Sequence, residues 1–411
     1  MEKPRFDQLT RTIAATGTRR MLTQGLAALL LSAQAVSLPD DATARRKHRR
    51  ARPQAEKKHK KTVILCLNGE TIEVKKSKKQ KYLKQGATLG ACQTCNAGSW
   101  VKETDFGSFG AGPDQFDYPN SVAIAANGLT AWVADAQNSR ISVWARPTAN
   151  STAWSNTGTV GTPGGSGPSN VFGPECVRVS ADEKTMWIMD TLNNRVSVWT
   201  RPDASAAWAN QTTFGSDGNG PDQFDFPSRM AVSADDLTVW VVDHGHNRIS
   251  VWGRPSAGST VWGHKGNFGA LGSGPNDLHG PTGVAVDQDG LTAWVSDYGN
   301  DRISVWERPN AGSDTWSNET IFGASGSANG VDQPLGLAVS PDGLTAWICD
   351  NHGTQRVSIW TRPNAGSTAW AYAGAFGSPC ADIALSPDFR TAFLAEPSTN
   401  SISVWTMTCP A

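Results

Sequence analysis

The stretch Leu291–Pro309, LTAWVSDYGNDRISVWERP, constrains this chain most, because it recurs. Close copies begin at Leu129 (LTAWVADAQNSRISVWARP), Leu237 (LTVWVVDHGHNRISVWGRP) and Leu344 (LTAWICDNHGTQRVSIWTRP). A more divergent copy spans Thr185–Pro202, and a degraded one spans Thr391–Trp405. The tryptophan of the SVW or SIW motif falls at 144, 199, 252, 306, 360 and 405, so the steps are 55, 53, 54, 54 and 45 residues. Runs such as Val284-Ala285-Val286 and Ile303-Ser304-Val305 are short, alternating and β-branched, and Gly and Pro stand at the junctions. Such runs form strands, not helices. Four short strands repeated at this period make a propeller blade. The expected fold is all-β: a six-bladed β-propeller of four-stranded blades over residues 96–411.

The tryptophans sharpen this expectation. All 17 fall within the repeat: 132, 187, 240, 294 and 347 in second strands, six in third strands, and 154, 208, 262, 316 and 370 in fourth strands. The remaining one, Trp100, follows Asn96-Ala97-Gly98-Ser99, a copy of Asn364 to Ser367 before the fourth strand of blade five. Blade six has three strands of its own, so the segment around Trp100 is expected to complete it and leave no open edge. In the same register Cys409 and Cys95 occupy positions that are consecutive in blade five, Asn364 and Ala365. A Cys95–Cys409 disulfide is expected to replace the missing peptide link.

Blade four carries Pro281-Thr-Gly-Val-Ala-Val-Asp287, then Val295-Ser-Asp297 and Asn300-Asp-Arg302-Ile303. These residues resemble the NHL repeat, and the resemblance covers residues 96–405. It implies a propeller, with protein or polyanion ligands plausible for such a face; the fold itself hosts many activities.

Ahead of the repeats the composition changes. Residues 1–95 hold 21 Lys and Arg against 7 Asp and Glu, whereas the remainder holds 16 against 30. Residues 1–36 read as a twin-arginine-like export signal, with Arg19-Arg20, an apolar run from Leu26 to Leu31 and a small-residue site at Ala33-Gln34-Ala35. Residues 37–61 are a basic, disordered linker. Residues 62–95 form a small cysteine-bounded module: VILCLNGETIEV contains an Asn68-Gly69 hairpin signal. The pattern CxNGxTIxV…YLxxGATxGxC resembles a module of other secreted bacterial proteins, and a Cys66–Cys92 bridge would staple it. The expected location is secreted or in the cell envelope.

The candidate sites divide into repeated and unrepeated residues. Asp135, Asp190, Asp243, Asp297 and Asp350 recur with Arg140, Arg195, Arg248, Arg302 and Arg356, and five copies suit structural struts rather than one catalytic carboxylate. Blade six has Glu396 and Ser401 instead, so a weaker strut is expected. The residues just after each first-strand proline are expected to ring the channel mouth as solvated side chains. Asn120, Glu175, Arg229, Thr282 and Asp382 are the binding candidates there, and Glu175, Asp382 and Asn120 the Ca²⁺ candidates. His244, His246, His279 and His352 point to the same face, though away from the axis. Cys349 is expected to be a core thiol and Cys176 and Cys380 to lie near the ring, with the pairing of all three open. The string Asp287-Gln288-Asp289-Gly290 lacks the rest of a calcium loop and reads as a hairpin turn.

No catalytic fingerprint is present in the sequence. The favoured reading is a non-enzymatic, exported scaffold that binds protein or an anionic polymer on a propeller face, with no cofactor. The basic arm is expected to meet anionic envelope material or nucleic acid. One alternative is a metal-dependent hydrolase or lyase with Ca²⁺ or Zn²⁺ in the channel. Nucleic-acid binding through residues 44–61 is the other. Oligomeric state stays open.

Overall fold

The structure is a computed structural model. It describes residues 62–67, 70–75, 78, 81, 88–89, 99–149, 151–324, 329–350 and 356–408. The export signal, the linker and the cysteines Cys92, Cys95 and Cys409 lie outside the described residues, as do His352 and the Cys66 side chain. Both expected terminal disulfides are therefore outside them too. In the small module, Thr62–Leu67 pairs antiparallel with Glu70–Lys75 across the two-residue Asn68-Gly69 link. Thr88–Leu89 adds to the other edge of Thr62–Leu67.

Six four-stranded antiparallel sheets follow. Five are continuous in the chain; blade four, for example, comprises Pro281–Val286, Thr292–Asp297, Arg302–Glu307 and Ser317–Phe322. The sixth comprises Asp382–Leu385, Thr391–Glu396 and Ser401–Thr408, and its outer place is filled by Ser99–Phe106. Trp405 faces Lys102 there as Trp144 faces Asn156 in blade one, which makes Trp100 the counterpart of Trp154. The ring thus closes through the segment that contains Trp100.

The core consists of wedges between neighbouring blades, because each sheet is apolar on both faces. Trp187, Met189 and Val198 of blade two pack with Val239, Val241 and Trp252 of blade three, and equivalent clusters fill the other junctions. A fourth-strand tryptophan stacks on the aromatic ring that ends the preceding blade: Trp154 on Phe106, Trp262 on Phe214, Trp316 on Phe268 and Trp370 on Phe322. Trp100 does the same on Phe376, with centroids 4.1 Å apart. Offset stacks of this kind add specificity beyond the area they bury.

The arginine of the Trp-x-Arg-Pro motif is a second repeated device. Arg308 lies over Trp240 of the preceding blade and Trp316 of its own, while its Nε donates to the Gly290 carbonyl at 2.8 Å. Arg146, Arg201, Arg254 and Arg362 repeat the contact. Gly290 adopts φ +68, and a Cβ there would lie 3.1 Å from Trp240, so glycine suits both the turn and the packing.

One cysteine expectation is overturned. Cys349, in the second strand of blade five, is bonded to Cys380 at the start of blade six, with Cα atoms 5.5 Å apart. It is not a free core thiol. The two residues lie on different blades, and their approach depends on how those blades pack. Among the described cysteines Cys176 is free and buried.

Candidate functional site: the central channel

The innermost strand of every blade faces the ring axis. In blades one to four its pairing slips immediately after the leading proline, between Pro119 and Ser121, Pro174 and Cys176, Pro227 and Met230, and Pro281 and Gly283. Such a bulge adds a residue to one strand and re-aims its side chains. In blades one, two and four the added residues are the sequence candidates Asn120, Glu175 and Thr282; in blade three the candidate Arg229 lies within the slip beside Ser228. Asp382 opens the equivalent strand of blade six.

These residues are buried; they are not a solvated rim. Asp382 is 0 % exposed, Arg229 4 %, Asn120 6 %, Thr282 7 % and Glu175 8 %. Blade-to-blade convergence at the axis buries them, and each must then find a partner. Arg229 reaches across the ring from blade three. Its Nη2 donates to the Ala381 carbonyl at 2.8 Å and to Asn120 Oδ1 at 3.3 Å, and its Nη1 to the Thr282 carbonyl at 3.3 Å. Asp382 Oδ2 accepts from Ser121 Oγ at 2.6 Å and from Arg178 Nη1 at 3.1 Å. Thr282 Oγ1 donates to the Pro334 carbonyl at 2.6 Å. A Cβ on Gly336 would sit 2.6 Å from the Asp382 carboxylate, so blade five approaches this cluster through a glycine. Together these side chains form a polar plug at one end of the channel.

The electrostatics follow from burial. Desolvation pushes the Glu175 carboxyl up to about 7 against the pull of Arg229. No side chain among the described residues donates a hydrogen bond to it. Burial opposes the charge on Arg178, but Asp382 and Cys176 together outweigh it and raise that pKa. Burial also pushes up the Cys176 thiol, which lies 3.8 Å from Ser121 Oγ.

The calcium candidates do not fit a divalent cation. Asp382 is bound to Arg178, Asn120 to Arg229, and Glu175 lies in the field of Arg229. Among the described residues no three His, Cys, Asp or Glu side chains converge as a metal cage. The histidines are dispersed: His244 Nδ1 meets the Pro281 carbonyl at 2.9 Å, and His246 Nδ1 meets Asp243 at 2.8 Å.

The Asp and Arg pairs lie farther out and clamp loops. Arg140, Arg195, Arg248 and Arg302 donate through Nε to Asp135, Asp190, Asp243 and Asp297 at 2.7–2.8 Å. Arg356 Nε lies 3.9 Å from Asp350. In blade one Asp135 also accepts from the Asp117 amide, and Arg140 Nη2 donates to the Gly112 and Gln115 carbonyls, all at 2.8 Å. The strut thereby holds the loop that enters the blade. In blade six Glu396 accepts from Ser403 and Thr399, and Thr399 contacts Ser401 at 2.8 Å.

Arg178 is the channel residue that sequence reading passed over. It pairs with Trp187, where the other blades place Ala123, Ala231, Ala285, Ala338 and Ala384 opposite Trp132, Trp240, Trp294, Trp347 and Phe393. Five alanines and one arginine at one repeat position were a readable signal, once the strands were aligned.

No family profile matches the chain, and no curated protein matches it either. Solved structures do. A Bacteroides uniformis ATCC 8492 protein described as a "putative 6-phosphogluconolactonase" is 13 % identical, with TM-score 0.51, covering 85 % of this chain and 93 % of that one. A Lactobacillus plantarum protein is 14 % identical, with TM-score 0.51, covering 71 % and 84 %. Identities this low speak to the fold alone. Residues 99–408 form a six-bladed β-propeller of four-stranded antiparallel blades, closed by the strand Ser99–Phe106.

Proposed function

We propose that this chain is an exported NHL-type propeller that acts as a non-enzymatic, protein-binding scaffold through the loops entering its blades. The observation that carries the reading is the contrast at that end of the ring. The axial side chains are buried and engaged with one another, whereas the surrounding loops expose large apolar groups. Phe109 of blade one is 67 % exposed and Leu271 of blade four 68 %. Both are held in place by isolated bridges to Phe116 and Leu278. Asp114 is exposed on the blade-one loop, and Asp217 and Asp222 are exposed on the loop that enters blade three. Apolar anchors within an acidic surround suit a basic protein segment better than an anionic polymer. The basic arm remains the part suited to anionic envelope polymer or nucleic acid.

The test is site-specific photo-crosslinking in the producing cell from positions 109 and 271, with a position on the opposite, 1→2-turn face as control. A discrete partner captured at 109 and 271 but not at the control, and lost in Phe109→Asp/Leu271→Asp, is the expected result. Stoichiometric Ca²⁺ or Zn²⁺ in the purified protein, together with turnover of a lactone or ester, would replace this reading with a metal-dependent hydrolase.

A further inference from the structure

The five channel alanines leave space at the axis. A cavity of about 430 Å³ runs along the innermost strands, within the range of small-molecule sites. Its walls include Val122, Val179, Val232, Val286, Val339 and Leu385, and it extends to the 1→2 turns of blades two and three at Ser180 and Ser233. The plug with Asp382 and Ser121 lies at its other end. The cavity is therefore a channel closed at one end, lined by valine and alanine side chains together with polar groups.

Arg178 lies in the cavity lining, and its side chain is 24 % exposed. Its Nη1 is committed to the plug, to Ser121, Asp382 and the Val177 carbonyl. Its Nε and Nη2 make no hydrogen bond to any described residue. The floor thus offers unused guanidinium donors. Two guanidinium groups, Arg178 and Arg229, face Asp382 and Glu175 there, and burial holds Glu175 partly neutral near pH 7. Fork-shaped donors of this kind suit a carboxylate. The rim has the opposite sign. Asp182, Asp235 and Asp236 cluster on the turns of blades two and three, with Asp236 pushed up to about 6 by burial. A second anionic group at the far end of a ligand would meet these carboxylates.

We propose that the channel binds a small monocarboxylate with a neutral apolar body, its head on Arg178 and its body between the valine and alanine walls. Entry is from the 1→2-turn face, away from the loops assigned to protein binding, so this site stands or falls independently of that assignment.

Calorimetry on the full chain tests it with four probes: octanoate, octanol, octylammonium and the dicarboxylate suberate. Octanoate is expected to bind about tenfold or more tighter than each of the others, from one charge-assisted pair. Ala338→Trp, which fills the channel and leaves Arg178 intact, should abolish octanoate binding. Arg178→Met should bring octanoate and octanol to equal affinity; if that variant does not fold, the Ala338→Trp result and the probe series decide alone. Octanol binding as tightly as octanoate, octanoate binding undiminished in Ala338→Trp, or no binding of any probe would each overturn the proposal.

Discussion

Blades four and six solve the same packing problem with different means. Blade four is continuous, and its hairpin is tied by polar groups: Asp297 takes Arg302 and the His279 amide at 2.7 Å and Asn300 at 2.8 Å. Arg308 then bridges Trp240 and Trp316. Blade six has Glu396 among hydroxyls, Phe393 in place of the second-strand tryptophan, and Met407 where the bridging arginine would be. Phe389 takes over the arginine's role by stacking on Trp347 of blade five, centroids 5.7 Å apart. A borrowed strand, the Trp100–Phe376 stack and the Cys349–Cys380 bond secure its place. Local polar clamps suffice where the chain is continuous. Where the ring must close, a borrowed strand and a covalent tie between blades are added to the aromatic stack that the continuous blades share.

The largest expected effect comes from Asp297→Ala. It strands Arg302, 6 % exposed, without its carboxylate, and should cost about 3–5 kcal/mol in denaturant titrations. Glu396→Ala removes hydroxyl hydrogen bonds and strands no buried guanidinium, and should cost about 1.5–3 kcal/mol. Equal losses would erase the contrast between the two blades.

Next is the blade five to blade six tie. Cys349→Ala/Cys380→Ala opens a loop of sequence separation 31, worth about 3–4 kcal/mol in the chain-entropy account. Reductant should lower the denaturation midpoint of the parent protein and leave that of the double variant unchanged.

The plug contributes a pH dependence. The folded Glu175 carboxyl titrates near 7 against an ordinary 4.5, so the folded state holds its proton more tightly than the unfolded chain. That stabilisation is fully present below pH 4.5 and is lost as pH rises through 7. The change amounts to about 3 kcal/mol at most. Glu175→Gln should flatten this part of the stability profile; an unchanged profile would place the Glu175 carboxyl in solvent.

The smallest effect separates the bridging side chains. Arg308→Leu should cost about 1–2 kcal/mol through two lost cation–π contacts and the lost hydrogen bond to the Gly290 carbonyl. Met407→Leu should stay within about 0.5 kcal/mol, as volume-conserving swaps do. Thermal midpoints of the pair would show whether blade six relies on this position at all.

The repeat made the ring legible in advance. Trp100 and its Asn-Ala-Gly-Ser lead identified the closing strand, and five Asp and Arg pairs identified the struts, because each rests on contacts within a few residues or one hairpin. The candidates Asn120, Glu175, Arg229, Thr282 and Asp382 were also readable as the places where blades differ. Their environment was not. Sequence set them at a solvated mouth, whereas Arg229 contacts blades one, four and six at once and seals the axis.

Cys349 with Cys380, and Arg178 among five alanines, belong to the same class. A strand's periodicity is written locally, in alternation and turn residues, so the sequence alone determined the blades and their order. What meets at the axis depends on six blades closing at one radius, with bulges that re-aim single side chains. That geometry is non-local. Only the tertiary structure decided that one end of the channel is plugged by charge and that the space along the alanines stays open above Arg178.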